Sequence, residues 1–313
     1  MSLPALLEQR LRLPVVAAPM FLVSNPKLVL ACCNSGIVGS FPALNQRDSS
    51  GFKDWLQEID AGLDSASAPY AVNLIVHGSN PRLQADLAIC VEHRVPIVIT
   101  SLGAAKEVVD AVHSYGGLVF ADVNSVGFAR KAAATGVDGL VLVASGAGGH
   151  TGLTAGFAFV EEVRQFWDGP IALGGAISSG RAIRAAETLG AELAYLGTAF
   201  IACEESVADP AYKDMVVGAS AEDILPSKGI TGVTANWLQK SLIAAGYDPA
   251  NMPEDKKPNF ENTQDNSKAW KNVWSAGQGV GAVTAIEPVA QIVARLKAEY
   301  DFACTLPRFD MKE

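Results

Sequence analysis

Three apolar runs near the middle of the chain decide the fold: IVITS at 97–101, LVFADV at 118–123 and GLVLV at 139–143. Each run is continuous rather than alternating, which is typical of strands buried on both faces of a parallel sheet. The segments between them, 104–114 and 127–135, carry apolar residues at helical spacing. This region therefore predicts parallel strands that alternate with helices.

The same alternation extends outward in both directions. Five more strand-like runs are predicted, at Val15–Met20, Gly36–Ser40, Tyr70–Val76, Ile171–Gly174 and Leu193–Gly197. Eight strands with seven intervening helices favour a closed α/β fold, the (β/α)8 TIM barrel, over an open doubly wound sheet. The turn after the first strand also lacks the G-x-G-x-x-G fingerprint of a dinucleotide-binding domain.

The alternation stops after Ala202. The following residues are polar and rich in turns, with one predicted helix at Ala235–Ala245, and helical spacing returns at Thr284–Ala298. We therefore expect an insertion or lid between the eighth strand and the eighth helix, on the active-site face. The expected division is a barrel domain at 1–202, the insertion at 203–283, and the last helix with the C-terminal tail at 284–313.

Three of the five tryptophans, Trp237, Trp270 and Trp274, fall in this insertion. Two interpretations are open: the side chains pack the insertion onto the barrel, or they take a direct part in a lid.

The composition restricts the partners and the location. The 313 residues are 49% hydrophobic and carry a formal net charge of −9, which disfavours nucleic acid as a partner. No apolar run approaches the ~18 residues of a membrane span, and the N-terminus does not resemble a signal peptide. The five cysteines show no C-x-x-C spacing. We expect a cytoplasmic protein with reduced thiols and no membrane association.

One histidine stands out as a candidate for chemistry. His150 lies in the glycine-rich stretch Ala147–Gly152, directly after the sixth strand. Glycines let backbone approach a ligand closely and would leave the imidazole unobstructed. Because a histidine with a pKa near neutrality suits proton transfer, His150 is the predicted catalytic residue. The alternative is a glycine-rich turn with an ordinary hydrogen-bonded histidine.

The other histidines are weaker candidates. His77 follows the third strand and is a rival on the same face, whereas His93 and His113 are expected on the exterior. No two histidines stand at metal-ligand spacing, so no metal site is predicted.

Glycine turns follow the last two strands and predict a phosphate site. The seventh strand ends in Leu173-Gly174-Gly175-Ala176, and the eighth ends in Gly197-Thr198-Ala199. Barrels commonly bind phosphate on backbone N–H groups after strands seven and eight, next to a helix N-terminus. Ser178 and Ser179 are placed to cap the helix that follows the first of these turns.

Two polar residues interrupt apolar strands. Asn73 lies in the third strand and Asp122 in the fifth. Buried amides and carboxylates are costly without partners. They either bond to each other or to the backbone, or they bind a ligand rich in hydroxyls and ring nitrogens.

In this order, the motifs resemble the nitronate monooxygenase family, formerly called 2-nitropropane dioxygenases, whose members are FMN-dependent (β/α)8 barrels. The resemblance covers nearly the whole chain. The motifs that carry it are Ala18-Pro19-Met20, Val72-Asn73-Leu74, Ala147–Gly152, Gly174-Gly175, Leu196–Phe200 and Gly277–Gly281.

The resemblance implies FMN as the cofactor and a role for each matching residue. His150 would act as the acid–base or substrate-anchoring group. The implied cofactor contacts are Ala18, Pro19 and Met20 facing the flavin ring, Asn73 bonded to it, Asp122 and Gly148 along the ribitol, and Leu173, Gly174, Gly175, Gly197 and Thr198 around the 5′-phosphate.

The implied reaction is the oxidation of an alkyl nitronate by O2 to a carbonyl compound and nitrite. With a neutral nitroalkane, His150 would remove the α-proton. Three alternatives stay open: an NAD(P)H-dependent quinone or enoyl-acyl-carrier reductase, a flavin-free isomerase or lyase, and a non-catalytic FMN carrier. Family members often have lysine where this chain has Asp122, and an acidic residue where it has Gly146, so flavin potential and substrate choice need not follow the family.

Overall fold

Eight parallel strands form the centre of the protein. The computed structural model describes residues 3–103, 105–253 and 271–306. The barrel strands are β1 (Val15–Ala17), β2 (Gly39–Pro42), β3 (Tyr70–Ile75), β4 (Ile97–Ser101), β5 (Leu118–Val123), β6 (Gly139–Val143), β8 (Ile171–Gly174) and β9 (Leu193–Leu196). A short strand, β7 (Gly149–His150), lies outside the barrel sheet in the loop after β6.

The strands close on themselves. Their order in the sheet is β1-β9-β8-β6-β5-β4-β3-β2, and every pairing is parallel. A parallel bridge between Val16 and Val38 joins the two ends. The predicted TIM barrel is therefore confirmed, with all eight strands at or within a few residues of their predicted positions. β1 is shorter than predicted and ends before Ala18-Pro19, since proline cannot donate to the ladder.

Both faces of each strand are buried, which explains why the runs are continuous. In β4, Ile97 and Ile99 belong to the cluster inside the barrel, whereas Val98 packs against the surrounding helices. Leu7, from the short first helix, is 1% exposed and packs into the same interior cluster. The end of the barrel opposite the carboxyl ends of the strands is thus filled by apolar side chains.

Helices surround the barrel. They are α1 (Ala5–Glu8), α2 (Pro26–Asn34), α3 (Ser49–Gly62), α4 (Leu83–Glu92), α5 (Lys106–His113), α6 (Val126–Ala133), α7 (Gly156–Arg164) and α8 (Gly180–Leu189). Side-chain caps begin four of them, because Asn25, Asp48, Ser125 and Ser179 each accept a hydrogen bond from a backbone N–H of the first turn. Among the described helices, none is long and apolar enough to cross a membrane.

After β9 the chain builds a small subdomain. Its described elements are α9 (Thr198–Ile201), α10 (Pro210–Val217), β10 (Ile224–Ser227), β11 (Ala235–Leu238) and α11 (Gln239–Ala244), followed by α12 (Val289–Cys304). β10 and β11 form an antiparallel hairpin. The insertion prediction also covers 254–270, and the predicted tail covers 307–313; both lie outside the described residues.

Two helix predictions in this region need correction. The segment Ala235–Ala245 is not one helix, because its first four residues form β11, in which every residue is buried and paired with a residue of β10. The last helix begins at Val289 rather than at Thr284, directly after Pro288, and Ile286 is exposed rather than part of its packed face.

The two described tryptophans of the insertion make contacts within it. Trp237 is fully buried in a cluster with Ile230 and Leu242. Trp274 stacks on Tyr212, with ring centroids 5.1 Å apart. Trp270 lies outside the described residues. For Trp237 the packing interpretation is therefore the one the structure supports.

Candidate active site

Three polar side chains form a hydrogen-bonded chain inside the barrel, at the carboxyl ends of neighbouring strands. The Asn73 amide Nδ2 donates to Ser101 Oγ at 2.7 Å and to the Ile99 carbonyl at 3.0 Å. Ser101 Oγ in turn lies 2.9 Å from Asp122 Oδ2. The strand alternation that puts Ile97 and Ile99 inside the barrel puts Ser101 there as well.

This chain of bonds fixes which atoms remain for a ligand. Both N–H groups of Asn73 are used on β4, so Oδ1 is the part of the side chain left to accept a hydrogen bond. Ser101 receives the Asn73 N–H and directs its own proton to Asp122. The two interruptions noted in the sequence are therefore connected, through a serine between them.

Burial changes the electrostatics of the same cluster. It raises the pKa of Asp122 to about 6, an effect that the Ser101 hydrogen bond partly offsets. Tyr195 of β9 also belongs to the barrel interior, where burial and the charge of Asp122 raise its pKa. Asp122 therefore titrates just below neutrality, while Tyr195 stays protonated.

His150 is part of a strand rather than of a free loop. It pairs with Ala235 and Gly149 pairs with Asn236, so β7 extends the β10–β11 hairpin. The Thr151 N–H continues the ladder by donating to the Thr234 carbonyl at 3.0 Å. The inserted hairpin thus covers the loop that carries the histidine.

The expectation of a near-neutral pKa for His150 is wrong. The Nε2 atom is buried although the residue as a whole is half-buried, and burial lowers the pKa to about 4. The imidazole is therefore neutral at pH 7. In that state it can hold or donate one hydrogen bond, but it is a weaker base than an ordinary histidine.

The glycines around His150 serve loop packing. A Cβ on Gly148 would lie 2.8 Å from the Gly277 nitrogen, and one on Gly277 would lie 2.6 Å from the Gly146 carbonyl oxygen. The Gln278 N–H also donates to the Gly146 carbonyl at 2.9 Å. The first glycines of the A-G-G-H stretch therefore allow the Gly277–Gln278 segment to lie directly against it. From the sequence, these glycines were expected to give a ligand access to the backbone. At Gly148 the neighbour is instead the backbone of Gly277.

A cleft of about 210 Å³ lies beside the turn after β8. Its walls come from this turn, from the start of α8 and from the one-turn helix at Gln278–Ala282. Gly175 and Ala176 both have positive φ, +132° and +56°, which is rare for alanine and turns the backbone sharply here. None of the hydrogen bonds between described residues uses the backbone N–H of Ile177 or Ser178. The glycine turn after β8, predicted from the sequence to bind a phosphate, thus borders this cleft.

The helix N-terminus contributes less than predicted. Ser179 caps α8 by accepting from the Ala182 N–H at 3.2 Å, as expected. The Gly180 N–H, however, donates to Glu299 Oε2 of α12 at 2.7 Å. Two N–H groups of the first turn are thus already satisfied. Ser178 does not cap the helix; it is buried and lines the cleft instead.

The remaining predicted contacts surround the same end of the barrel. The Ala18 N–H donates to the Leu196 carbonyl at 2.9 Å, which carries the chain of Pro19 and Met20 over the end of β9. The Met20 sulfur lies 3.6 Å from the Cβ position of Gly197. The Gly277 N–H donates to Thr198 Oγ1 at 2.8 Å, so this hydroxyl is engaged within the protein.

Leu173 and Gly174 can reach a ligand only through the backbone. The Leu173 side chain packs in the outer core, between barrel and helices. The Tyr195 ring lies 3.2 Å from the Cβ position of Gly174.

The other histidines lie away from this site or at its edge. His93 and His113 bind Asp60 and Asp138 on the outside of the barrel, as predicted. His77 follows β3 and contacts Ser79. Within the described residues, no group of three or more His, Cys, Asp and Glu side chains could hold a metal ion.

Three residues of the site were not identified from the sequence. Ser101 and Tyr195 point into the barrel at the level of Asp122. Asn236 is buried in β11 and donates to the Ala147 carbonyl at 2.8 Å, in the loop before His150. For Ser101 a signal existed, because it ends its strand on the same face as Ile97 and Ile99. For Asn236 there was none, since its segment was predicted to be helical.

A parallel eight-stranded barrel with a polar cluster at the carboxyl ends of its strands has the architecture of a TIM-barrel enzyme. The sequence model of one family, nitronate monooxygenase, matches residues 41–299. The chain therefore belongs to the nitronate monooxygenase family, and it is a flavin-dependent oxidoreductase.

Individual relatives agree with this assignment. A nitronate monooxygenase from Paraburkholderia phytofirmans is 27% identical over 339 aligned residues, which cover 91% of this chain and 92% of the relative. The structure of FabK from Thermotoga maritima matches with a TM-score of 0.80 at 25% identity, covering 96% and 95% of the two chains. Nitroalkane oxidase from Streptomyces ansochromogenes shares the fold with a TM-score of 0.82 at 24% identity, covering 96% and 99%.

Proposed function

We propose that this protein binds FMN and oxidises alkyl nitronates with O2, giving a carbonyl compound and nitrite. The observation that carries the proposal is the arrangement of three parts at one end of the barrel. These are the Asn73–Ser101–Asp122 chain, the covered loop with His150, and the cleft after β8. The name of the Paraburkholderia relative supports the same activity.

The residues present fit the phosphate of FMN. The cleft offers the Ser178 N–H, which no hydrogen bond between described residues uses, together with the Ser178 hydroxyl, and both are donors suited to an anion. The backbone of Gly174 and Gly175 leads directly into it. Because Thr198 Oγ1 accepts from Gly277, we assign it to holding the Gly277–Gln278 segment, and a phosphate would receive only its remaining proton.

The mouth of the barrel fits the ring and the ribitol. Asn73 Oδ1 would accept from a ring N–H, and Asp122 would accept from a hydroxyl or an N–H group. Met20 supplies an apolar surface beside them. FMN, when bound, supplies the redox chemistry.

His150 is then the substrate-binding group. A neutral imidazole can donate one N–H to a nitronate oxygen without adding a charge to the site. Its lowered pKa makes it a poor acceptor for the α-proton of a neutral nitroalkane. We therefore assign His150 to orienting a substrate that is already a nitronate anion.

We also propose that residues 203–283 cover the active site as a lid subdomain on the barrel of residues 1–202, and that 284–313 complete the barrel. The ladder between β7 and β11 supports this division.

The test is the visible spectrum of the FMN-loaded protein before and after anaerobic addition of an alkyl nitronate. We expect a flavin spectrum that bleaches, followed by nitrite release when air is admitted. A flavin spectrum that ignores the nitronate and bleaches with NAD(P)H would replace the proposal with a reductase activity. A protein that takes up no FMN would refute the cofactor itself.

A further inference from the structure

Asp122 is the ionisable carboxyl at the mouth of the barrel, and its surroundings are unusual for one. It lies on β5, half-buried, and Ser101 Oγ is its hydrogen-bond donor at 2.9 Å. Among the described residues, no lysine, arginine or histidine forms an ion pair with it. A buried carboxylate in such a place is held by one hydrogen bond rather than by a countercharge.

The groups that face Asp122 do not compensate its charge. Asn73 and Ser101 come from β3 and β4, and the adjacent strand β6 presents Val141 and Val143 to the barrel interior. Tyr195, on β9, stays protonated and brings no positive charge, because burial and the charge of Asp122 raise its pKa. His150, in the loop after β6, is neutral above about pH 4.

We propose that Asp122 is a redox-linked proton-binding site, which takes up one proton from solvent when a flavin bound at the barrel mouth is reduced. The inference rests on the proposed FMN binding, but it does not require a nitronate as the substrate. Reduction adds negative charge to the ring, and a second negative charge nearby favours the neutral carboxylic acid. The reductant supplies the electrons to the flavin; where these leave one net negative charge on the ring, one proton from solvent forms an O–H bond on an Asp122 carboxyl oxygen and balances that charge.

Burial alone already raises the pKa of Asp122 toward neutrality. Its pKa of about 6 leaves it mostly ionised at pH 7. A like charge at close range is sufficient to raise the pKa of such a carboxyl above 7, because a shift of one pKa unit corresponds to only ~1.4 kcal/mol. An ordinary exposed aspartate would need a much larger shift.

Ser101 is the positioning residue for this site. Its hydroxyl receives the Asn73 N–H and gives its proton to Asp122, so it stabilises the ionised form. Removing the hydroxyl would raise the pH at which Asp122 titrates. Ser101→Thr keeps the hydroxyl and is the conservative variant.

The experiment is electrochemical reduction of the FMN-loaded protein, followed by infrared difference spectroscopy between pH 5 and 8. Here the electrode is the reductant. We expect a protonated-carboxyl band to appear on reduction at pH 7 in the wild type and in Asp110→Asn, whose exposed carboxyl lies on α5. The band should be absent from Asp122→Asn. The oxidised Ser101→Ala protein should carry the band up to a higher pH than the oxidised wild type does. Ser101→Thr should return this pH to the wild-type value.

A band that persists in Asp122→Asn, or a wild type without a carboxyl change on reduction, would overturn the inference. So would a Ser101→Ala protein that titrates like the wild type. A protein that binds no FMN would overturn both this inference and the proposed function. A protein that shows the band but is not reduced by nitronate would refute only the proposed substrate.

Discussion

His150 and Ala235 are paired residues of one antiparallel ladder, although 85 positions separate them in the chain. The loop after β6 and the inserted hairpin are therefore one structural unit. The conformation of the histidine depends on the hairpin as much as on the barrel, so changes in β11 should reach the active site.

The side chain that joins these two parts most directly is Asn236. It is 2% exposed and donates to the Ala147 carbonyl at 2.8 Å. We expect Asn236→Ala to lower the free energy of unfolding by about 1–3 kcal/mol, because a buried carbonyl loses its donor. Urea denaturation measures this change, and FMN affinity should fall with it.

Asn251→Ala is the matched control. Asn251 lies in the same subdomain, but it is exposed, and among the described residues its side chain bonds to Asp248. Its removal should change stability by less than about 0.5 kcal/mol. Equal effects of the two substitutions would show that the Asn236 contact does not couple hairpin and loop.

His150→Ala should keep its FMN and lose turnover, by roughly 100-fold, since the substrate loses a positioned hydrogen-bond donor. The control is His77→Ala, which removes the other histidine predicted on this face. Steady-state kinetics with an alkyl nitronate would measure both. The pKa of His150 is about 4, so its titration should not appear near pH 6.5 in the wild-type plot of turnover rate against pH. A break near pH 6.5 that is present in the wild type and absent from His150→Ala would contradict the lowered pKa.

A charge at the rim of the cleft tests the phosphate site. Ala282 lines the cleft and is exposed, so its substitution should not disturb packing. Ala282→Asp should weaken FMN binding about fivefold at low salt, which corresponds to ~1 kcal/mol of repulsion through water. Fluorescence titration with FMN would measure the effect, and it should shrink in ~1 M salt.

Ala282→Asn has nearly the same shape without the charge, and its FMN affinity should equal that of the wild type. If the two variants bind FMN equally well, the phosphate does not lie in this cleft.

The opposite pKa shifts of Asp122 and His150 predict a compensation in the pH dependence of stability. Asp122 has its pKa raised from 3.8 to about 6, so its contribution to stability is lost as the pH rises through that window. His150 has its pKa lowered from 6.5 to about 4, so its contribution is lost as the pH falls through nearly the same window. Each slope is at most ~1.4 kcal/mol per pH unit.

We therefore expect these two groups to leave the wild type, freed of FMN, with little net slope from pH 4.5 to 6. In Asp122→Asn only the histidine of this pair remains, and stability should rise by up to about 2 kcal/mol between pH 4.5 and 6. In His150→Ala it should fall with pH instead. Urea denaturation at several pH values gives these slopes, and parallel curves for all three proteins would refute the shifts.

The barrel was predictable because its signal is repeated eight times. Continuous apolar runs such as Gly139–Val143 can only be strands covered on both faces, and the glycine turns mark which ends meet. The sequence also marked Asn73 and Asp122 as polar interruptions of these runs, and the structure links the two through Ser101. The hairpin was not predictable, because Ala235–Ala245 has a helical composition and becomes a strand only through its pairing with β10 and His150.

The chemical state of the site could not be predicted from residue types. An unperturbed histidine has a pKa near 6.5, and the sequence contains no sign that β11 would cover it. Glu299 likewise accepts a hydrogen bond from the Gly180 N–H at the start of α8, although more than a hundred positions separate the two residues. Both effects arise from contacts between distant segments, which local patterns do not encode.

The ladder between His150 and Ala235 also sets an order of events during synthesis. A ribosome adds roughly 5–20 residues per second, so the histidine emerges about 4–17 s before its partner strand exists. During that interval the first six strands can pair with one another, but the loop that carries His150 has only its own hydrogen bonds, such as that from the Ser145 N–H to the Thr154 carbonyl, and lacks the ladder to β11. The ladder that fixes the position of His150 can therefore form only after the chain has been completed at least to β11.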